Sequence, residues 1–337
     1  AHTGDLASYG LPTVKAAELV VADWNARGGV LGRQIELVVA DDVCRPEVAT
    51  TVAAKLVGDK VVAVVGHICS GATRAALGVY LDAKIIAVSP SSTNPALTKS
   101  GEYPNFFRTI APDDAQADLV VNFVVNNLKL RRIAVLHDRG DYGRGFAEYA
   151  QRYLVAAGAE VVIFEGIQVG AVDYSAIINK VAASGAEAVI YGGYHPEASR
   201  LVNQMRARGM KAAFLGADGL KDETFINVAK EAAEGVYASG PRDVSMNPLA
   251  IKAADAHRAK HGEDPGPFFM NGYAATQVIL YAIQKAGSTD YEAILTALRA
   301  GAFDTPLGKI SFDAKGDGVG VGFSMYQVQN GVFVELN

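Results

Sequence analysis

Short, mainly apolar segments alternate along the chain with segments whose apolar residues recur at helical spacing. The apolar segments lie at 34–40, 61–65, 85–88, 132–137, 160–165, 187–191, 212–215 and 235–238. Each of them predicts a β-strand. Strands that alternate with helices predict parallel sheets built from βαβ units, and strands that are apolar throughout are typical of sheets covered on both faces.

The clearest helical spacing lies near the two ends of the chain. The first helix is predicted over 12–27 and ends at the stop signal Gly28-Gly29. One face of this helix carries four apolar side chains, Val14, Ala17, Val21 and Trp24. Three later helices are predicted near 247–260, 268–286 and 290–300, and a short strand-rich tail follows them.

The strand–helix alternation falls into two blocks, roughly 1–110 and 113–240, separated by the segment 108–116. The helices and tail after Pro248 are too small to form a third domain. We therefore expect them to complete the first two domains, so that the chain crosses between the lobes more than once. Several crossovers side by side make a hinge. The predicted fold class is α/β, with two Rossmann-like lobes that contain parallel sheets.

Composition and charge narrow the range of functions. The 337 residues carry a formal net charge of −5, without a basic cluster, which argues against nucleic acid as a partner. No apolar run approaches the roughly 20 residues that span a bilayer. The chain begins at Ala1 without a signal peptide, so we expect a mature or trimmed form.

The motifs of several enzyme classes are absent. The sequence contains neither G-x-G-x-x-G nor G-x-x-x-x-G-K-[ST], and neither a G-x-S-x-G elbow nor H-E-x-x-H. Its six histidines show no metal-ligand spacing. We therefore expect no catalysis, no cofactor and no metal, although an enzyme with an unknown motif stays a competing hypothesis.

Polar and aromatic residues follow the predicted strands at their carboxyl ends, where open parallel sheets bind ligands. Hydroxyl groups and helix starts come after 61–65 and 85–88, and such groups favour a carboxylate. Tyrosines and a carboxylate come after the strands of the second block. Together they predict a site for a zwitterion, with its amine directed towards Asp218. The candidates are Ser70, Ser91, Thr93, Tyr142, Tyr194 and Asp218.

Each candidate also has a purely structural interpretation. Ser70 suits the N-cap of a helix, and Asp218 suits an ordinary turn. Ser91 and Thr93 suit a loop bounded by prolines, and the two tyrosines suit half-buried packing positions. His195, which is followed by proline, is interpreted as structural or exposed. The shared position of the candidates at the ends of strands favours a functional role over these structural interpretations.

The two cysteines, Cys44 and Cys69, both follow predicted strands. They are either two unrelated buried thiols or a disulfide that closes a loop of about 25 residues, worth about 3 kcal/mol in the chain-entropy model. A disulfide implies an oxidising compartment. The residues alone leave both interpretations open.

Eight segments give the sequence a family resemblance over essentially its whole length. They are TGDLASYG at 3–10, NARGGVLGRQIELVVADD at 25–42, VVGHICS at 64–70, SPSSTNPALT at 89–98, FRT at 107–109, HDRGDYGRG at 137–145, YGGYHPE at 191–197 and GKISFDAKGD at 308–317. With them the sequence resembles the periplasmic Leu/Ile/Val-type, or branched-chain, amino acid binding proteins of ABC transporters. The resemblance implies a type I periplasmic binding fold, in which two lobes close on the ligand about three hinge crossovers.

The resemblance also assigns roles to residues. It implies that Ser70, Ser91 and Thr93 hold the α-carboxylate and α-amine, and that Tyr142, Tyr194 and Asp218 complete the cage. The side-chain pocket is implied at Tyr9, Ile68 and Phe268. Cys44 and Cys69 match a disulfide of these receptors.

The implied lobes and hinges can be placed on this sequence. The first lobe, on the carboxylate side, comprises 1–111 and 243–320. The closing lobe comprises 112–242 and 321–337. The hinges are expected near 109–113, 239–243 and 319–323.

Two departures from the family pattern bear on these expectations. The family's opening strand, which precedes Thr3-Gly4, is absent from the sequence, so the sheet of the first lobe is expected to be incomplete. Asp218 stands where the best-known Leu/Ile/Val receptors carry Glu, which shifts the negative charge by about one methylene. This shift suits either a different position of the amine or a water-bridged amine.

The leading hypothesis is a monomeric periplasmic receptor, with its signal peptide removed, that delivers a neutral, mainly aliphatic L-amino acid to the permease subunits of an ABC importer. One alternative is a receptor for an amine-free carboxylate such as an aromatic acid. Another is a ligand-sensing domain, which would need a tethered partner domain that this sequence does not contain.

Overall fold

The computed structural model describes residues 1–336, and the chain divides into two units. Unit 1 comprises Ala1–Ala111 and Asp243–Gly322, and unit 2 comprises Pro112–Arg242 and the chain from Phe323 onwards. Asn337, the last residue of the predicted closing lobe, lies outside the described residues. The chain passes from one unit to the other three times.

The described residues form helices and strands in alternation. The helices are α1 (Ala7–Ala26), α2 (Pro46–Gly58), α3 (Ser70–Asp82), α4 (Ala96–Lys99), α5 (Asp113–Asn122), α6 (Asp141–Ala156), α7 (Ser175–Ser184), α8 (His195–Ala207), α9 (Glu223–Ala229), α10 (Pro248–His261), α11 (Phe269–Ala286) and α12 (Tyr291–Arg299). A π-helical turn, Phe123–Asn127, extends α5, and 3₁₀ turns occur at Asp218–Leu220 and Lys230–Ala233. The strands are β1 (Ala63–Val65), β2 (Ile86–Ser89), β3 (Phe106–Arg108), β4 (Arg132–His137), β5 (Glu160–Gly166), β6 (Ala188–Gly192), β7 (Ala213–Gly216), β8 (Tyr237–Pro241), β9 (Ala302–Thr305), β10 (Gly308–Phe312), β11 (Gly318–Val319), β12 (Phe323–Gln329) and β13 (Val332–Glu335).

Unit 1 contains a parallel sheet in the order β1-β2-β3 and a small antiparallel sheet in the order β11-β10-β9. In the parallel sheet Ala63 is paired with Ile86, and Ala87 with Phe106. Helix α11 packs on this sheet, because its apolar residues share one buried cluster with Ile86 and Val88 of β2. The carboxyl ends of β1 and β2 therefore lie side by side, and the loops that follow them are neighbours.

The prediction of a strand at 34–40 is wrong. These residues belong to no strand, although their apolar pattern suits one. A segment becomes a strand only when a neighbour accepts and donates its backbone hydrogen bonds. Here a cavity of about 690 Å³ is lined both by residues 34–40 and by β1. Strand β1 pairs with β2 alone within the described sheet.

Unit 2 contains one sheet of seven strands in the order β13-β12-β8-β7-β6-β4-β5. Strands β4 to β8 run parallel, whereas β12 and β13 are antiparallel to their neighbours. Successive residues of β4 enter different cores: Ile133 and Val135 lie in one buried cluster, and Ala134 and Leu136 in another. Because side chains alternate along a strand, both faces of this sheet are covered. The predicted α/β class with parallel sheets is confirmed.

The predicted helices agree with the structure apart from one boundary. Helix α1 begins at Ala7 rather than at residue 12 and continues through Pro12. Proline removes one intrahelical hydrogen bond, but Tyr9 lies on the buried face of the helix and favours its earlier start. Ala17, Val21 and Trp24 of the predicted face are buried, and Val14 is half-buried. Within residues 1–336 no helix has the length and apolar character needed to cross a membrane.

Candidate functional site

In unit 1, the loops that follow β1 and β2 are joined by hydrogen bonds. Ser89 Oγ donates to the carbonyl of His67 over 2.6 Å, and Ser91 Oγ donates to the carbonyl of Ile68 over 2.8 Å. The backbone N–H of Asn94 donates to Ser70 Oγ over 3.2 Å. These bonds join the start of α3, which carries Ser70, to the loop that carries Ser91 and Thr93.

Thr93 is the most informative of these three residues. Its side chain is fully buried, and its Oγ1 finds no hydrogen-bond partner within residues 1–336. A buried hydroxyl without a partner costs free energy, about 1–3 kcal/mol, so such a group in a native structure calls for an explanation. A ligand oxygen at this place would supply the missing partner.

Helix α3 begins beside this loop. Cys69 is its N-cap, and Ser70 is its first helical residue, so Ser70 does not cap the helix as its structural interpretation held. The first N–H groups of any helix lack intrahelical acceptors, and the helix dipole adds positive potential at this end. The start of α3 and the Thr93 hydroxyl together form what we call the unit 1 half-site, which suits a carboxylate.

Two aromatic rings of the predicted side-chain pocket are in contact. The ring centroids of Tyr9 and Phe268 are 5.8 Å apart with the planes tilted by 52°. Tyr9 is buried, and Phe268, with φ of 58°, is the N-cap of α11. Ile68, also buried, lies in the loop between β1 and α3. These three residues are the apolar candidates of unit 1.

The disulfide is present in the structure, as the resemblance implied. Cys44 and Cys69 are bonded with their Cα atoms 5.4 Å apart. A second link runs parallel to it, because Asp42 Oδ2 lies 2.5 Å from His67 Nδ1, and both residues are buried. The loop that leads into α3 is therefore anchored to the segment 42–44 by a covalent bond and a buried polar contact.

In unit 2, the order of the sheet places the predicted tyrosines together. Strand order reverses between β4 and β6, since β5 lies beyond β4 while β7 and β8 lie beyond β6. Such a reversal opens a crevice at the carboxyl ends of the strands. Tyr142 follows β4 and Tyr194 follows β6, and their ring centroids are 5.2 Å apart.

The close approach at this crevice requires two glycines. A Cβ atom on Gly143 would lie 2.4 Å from the carbonyl oxygen of Gly192, and a Cβ on Gly192 would lie 2.1 Å from that of Gly143. Both distances are shorter than real Cβ contacts. Glycine at these two positions therefore allows the first turn of α6 to rest on the end of β6.

Asp218 is held by Tyr142. The tyrosine hydroxyl donates to Asp218 Oδ1 over 2.6 Å and accepts from the N–H of Gly219 over 2.9 Å. Asp218 is only 2% exposed, and burial raises its pKa to about 6 in spite of the hydrogen bond from Tyr142. Burial likewise raises the pKa of Tyr142 well above its usual value, and the negative charge of Asp218 adds to this rise. We call Asp218, Tyr142 and Tyr194 the unit 2 half-site. Its buried Asp218 carboxylate is an anion that a cationic group would stabilise.

Helix α5 contributes two residues that sequence reasoning missed. Gln116 is fully buried and close enough to Asp218 to lower the pKa of that carboxyl, yet its amide atoms make no hydrogen bond of ordinary geometry within the described chain. Asp113 is fully buried as well, and its charge helps to raise the pKa of Tyr142. Both residues come after β3, but no strand was predicted at 106–108, so the rule about strand ends could not identify them.

His195 lies close to the carboxylate of Asp222. It is buried at the start of α8, with Nε2 3.9 Å from Asp222 Oδ2, and it is therefore not exposed. Asp222 in turn caps α9 by accepting from the N–H of Thr224. The contact joins the starts of two helices.

Comparison with known proteins identifies the family. A family model described as a periplasmic binding protein matches residues 1–332. The chain belongs to the periplasmic binding protein family. The resemblance found in the sequence is thereby confirmed, together with the type I periplasmic binding fold.

Similar proteins cover nearly the whole chain. The leucine-, isoleucine-, valine-, threonine- and alanine-binding protein of Pseudomonas aeruginosa is 38% identical over 325 residues, which are 96% of this chain and 87% of that protein. The structure of the branched-chain amino acid transporter substrate-binding protein LivJ of Streptococcus pneumoniae, in complex with isoleucine, is 30% identical with a TM-score of 0.88, covering 99% of this chain and 97% of that one. The leucine-binding protein LivK of Thermotoga maritima is 26% identical with a TM-score of 0.93, covering 100% and 95%.

Proposed function

We propose that this protein is a periplasmic receptor that captures a neutral, mainly aliphatic L-amino acid and delivers it to an ABC importer. The observation that carries the proposal is the buried Asp218 carboxylate, held by Tyr142 and without a cation beside it among the described residues. An α-ammonium group would supply that cation. The unit 1 half-site, at Thr93 and the start of α3, would take the α-carboxylate of the same molecule.

The energetics favour a ligand that carries both charges. A carboxylate at a helix start gains from N–H donors and from the helix dipole, by about 0.3–2 kcal/mol. An ammonium paired with Asp218 removes the penalty of a buried, unpaired anion, which is larger. An uncharged side chain on the ligand suits Tyr9, Ile68 and Phe268, because these three residues contribute apolar surface.

The names of the relatives indicate the same class of ligand. The protein of Pseudomonas aeruginosa is named for leucine, isoleucine, valine, threonine and alanine, and the structure from Streptococcus pneumoniae contains isoleucine. All five are neutral amino acids. We infer that the ligand of this chain is a neutral amino acid, with an aliphatic side chain as the first choice.

The alternative ligand, an amine-free carboxylate such as an aromatic acid, is less well supported. Its carboxylate could occupy the unit 1 half-site, but it has no cation for Asp218. With a pKa of about 6 that carboxyl is mainly ionised at neutral pH. A ligand without an amine would leave the charge buried and unpaired, at a cost of several kcal/mol.

Location and partners follow from the family and stay proposals. The proposed receptor acts as a monomer in the periplasm, after removal of a signal peptide, and its partners are the permease subunits of the importer. The Cys44–Cys69 disulfide supports an oxidising compartment. Membership of a family of binding proteins favours capture over catalysis.

Isothermal calorimetry on ligand-free protein tests the proposal directly. L-Leucine should bind in the micromolar range or tighter, which corresponds to about −8 kcal/mol. Benzoate should bind far more weakly. If benzoate binds with that affinity and leucine does not, the assignment of Asp218 to an ammonium is wrong.

Closure of the units about the three crossovers is the proposed means of capture. Small-angle scattering with and without saturating L-leucine measures it as a smaller radius of gyration in the bound state. An unchanged radius, together with calorimetric evidence of binding, would show that capture does not need closure.

A further inference from the structure

Arg108 is a fully buried charge that the sequence did not single out. It is the last residue of β3 and is 0% exposed. Its guanidinium is paired with the Asp317 carboxylate, with Nε 2.7 Å and Nη2 2.6 Å from Oδ1. A buried pair of this kind gives little net stability. The hydrogen bonds that the Arg108 guanidinium makes therefore indicate its role better than its charge does.

The rest of the guanidinium holds the loop after β2. Nη1 donates to two backbone carbonyls, those of Ser92 over 3.0 Å and Asn94 over 2.9 Å. Nη2 also donates to Thr98 Oγ1 over 2.7 Å. The two carbonyls flank Thr93, whose buried hydroxyl lacks a partner. One planar group thus fixes the backbone on both sides of the proposed ligand contact.

Asp317 is itself held in place. Its N–H donates to Asp313 Oδ1 over 2.9 Å, and the N–H of Arg108 donates to the carbonyl of Gly316 over 3.1 Å. The anion that orients the guanidinium therefore belongs to an ordered turn between β10 and β11. Arg108 and Asp317 precede the two places where the chain leaves unit 1, after Ala111 and Gly322.

We propose that Arg108 is a positioning residue of the ligand site, which acts through Thr93 and does not touch the ligand. The proposal rests on the function proposed above, since it takes Thr93 as a ligand contact. Arginine suits this role because its rigid, planar fork directs several N–H groups at once, whereas lysine presents a point charge on a flexible stem. Arg108→Lys keeps the charge beside Asp317 but loses the fork that holds the two carbonyls.

Unit 2 offers a matched control. Arg206 is half-buried, and its Nη1 also donates to two backbone carbonyls, those of Met210 over 2.8 Å and Ala212 over 3.0 Å. It contacts none of the candidate ligand residues in the hydrogen bonds described. Arg206→Lys removes a similar pair of hydrogen bonds to backbone carbonyls, at a place outside the proposed ligand site.

The first readout is the affinity for L-leucine, measured by calorimetry. Arg108→Lys should weaken binding by about tenfold or more, because loss of the two carbonyl bonds lets Thr93 move. Arg206→Lys should change the affinity by less than about threefold. Equal affinity in Arg108→Lys and the parent would overturn the proposal.

A double-mutant cycle separates positioning from general destabilisation. In a Thr93→Val background the hydroxyl is already absent, so Arg108→Lys should cause a further loss of less than about threefold. If Arg108→Lys causes the same loss in both backgrounds, it does not act through Thr93 and the proposal is wrong.

Hydrogen exchange tests the positioning role of Arg108 without any ligand. In Arg108→Lys, peptides that cover 91–98 should exchange faster than in the parent, while those that cover 132–137 should be unchanged. Unchanged exchange over 91–98 would overturn the proposal even if leucine proved not to be the ligand. A parent that binds no neutral amino acid would refute the proposed function alone.

If Arg108→Lys does not fold, Asp317→Asn takes its place. This substitution keeps the shape of the carboxylate and removes its charge, so it loosens the guanidinium without deleting it. Exchange over 91–98 should rise and leucine affinity should fall by about threefold. The absence of both effects would contradict the positioning role.

Discussion

Removal of the negative charge at Asp218 should make the ligand-free protein more stable and the receptor almost inactive. Asp218→Asn is nearly isosteric, and its amide oxygen can still accept the hydrogen bond that Tyr142 donates over 2.6 Å. The substitution therefore changes charge more than packing. A residue kept only for structure would show the opposite, a loss of stability without a specific loss of binding.

The expected magnitude follows from the pKa of Asp218. Burial raises this pKa from 3.8 to about 6, which corresponds to a cost of about 3 kcal/mol for keeping the carboxylate ionised in the ligand-free protein. Asparagine removes that cost, so the free energy of unfolding at pH 7.5 should rise by up to about 3 kcal/mol. Loss of the ionic partner of a buried ammonium should weaken ligand binding by about 3–5 kcal/mol.

The pH dependence has a defined sign. Because the folded-state pKa lies above the unfolded-state value, the folded protein binds the proton more tightly. The destabilisation by Asp218 is thus complete above about pH 6 and disappears as the pH falls to about 4. Ligand affinity should fall over the same range, since protonation removes the partner of the ammonium. Asp218→Asn should abolish both trends for this group.

Urea unfolding at pH 7.5 and pH 5 and calorimetry with L-leucine measure these effects. Asp138→Asn is the control, because burial also raises the pKa of Asp138, to about 7, and no ligand contact is proposed for it. The control should gain stability at pH 7.5 and keep its affinity. Asp218→Asn with the affinity of the parent would refute the charge assignment.

Three further predictions concern other parts of the molecule. Thr93→Val should weaken leucine binding by about 1–3 kcal/mol. It should not lower the melting temperature, because the hydroxyl has no hydrogen-bond partner to lose within the described residues of the free protein. A loss of stability without a loss of binding would contradict the place of Thr93 in the site. Gly143→Ala should destabilise unit 2 by about 2–4 kcal/mol, because its Cβ would lie 2.4 Å from the Gly192 carbonyl oxygen. The control Gly58→Ala should be neutral or stabilising, because its Cβ meets no atom within 4 Å. Urea unfolding compares the free energies of unfolding of the two variants. Thiol labelling of denatured, unreduced protein should detect neither Cys44 nor Cys69, and Cys44→Ser/Cys69→Ser should lower the free energy of unfolding by about 3 kcal/mol; two labelled thiols would show that the bond does not form.

The sequence located the candidate residues but not their contacts. Parallel strands end at one edge of a sheet, so Tyr142, Tyr194 and Asp218 could be grouped from their places after strands. The bond between Tyr142 and Asp218 joins residues 76 positions apart, and it depends on the order in which β4, β6 and β7 lie in the sheet. Local patterns do not contain that order.

Two other features could not be predicted, for different physical reasons. Arg108 and Gln116 are polar residues, which are mostly exposed in proteins, so nothing local marked them as buried. The segment 34–40 has the pattern of a strand, but a pattern shows only which faces a segment could bury. Whether it becomes a strand depends on a neighbouring backbone, and β1 does not pair with it.

The ligand that the protein carries from its native compartment gives the most direct test of the account. Protein expressed with export to the periplasm, purified without added ligand and then denatured should release its bound solute for mass spectrometry. We expect a neutral amino acid with an aliphatic side chain, in near-stoichiometric amount. Release of an amine-free carboxylate instead would contradict the pairing of Asp218 with an ammonium group, and with it the central claim.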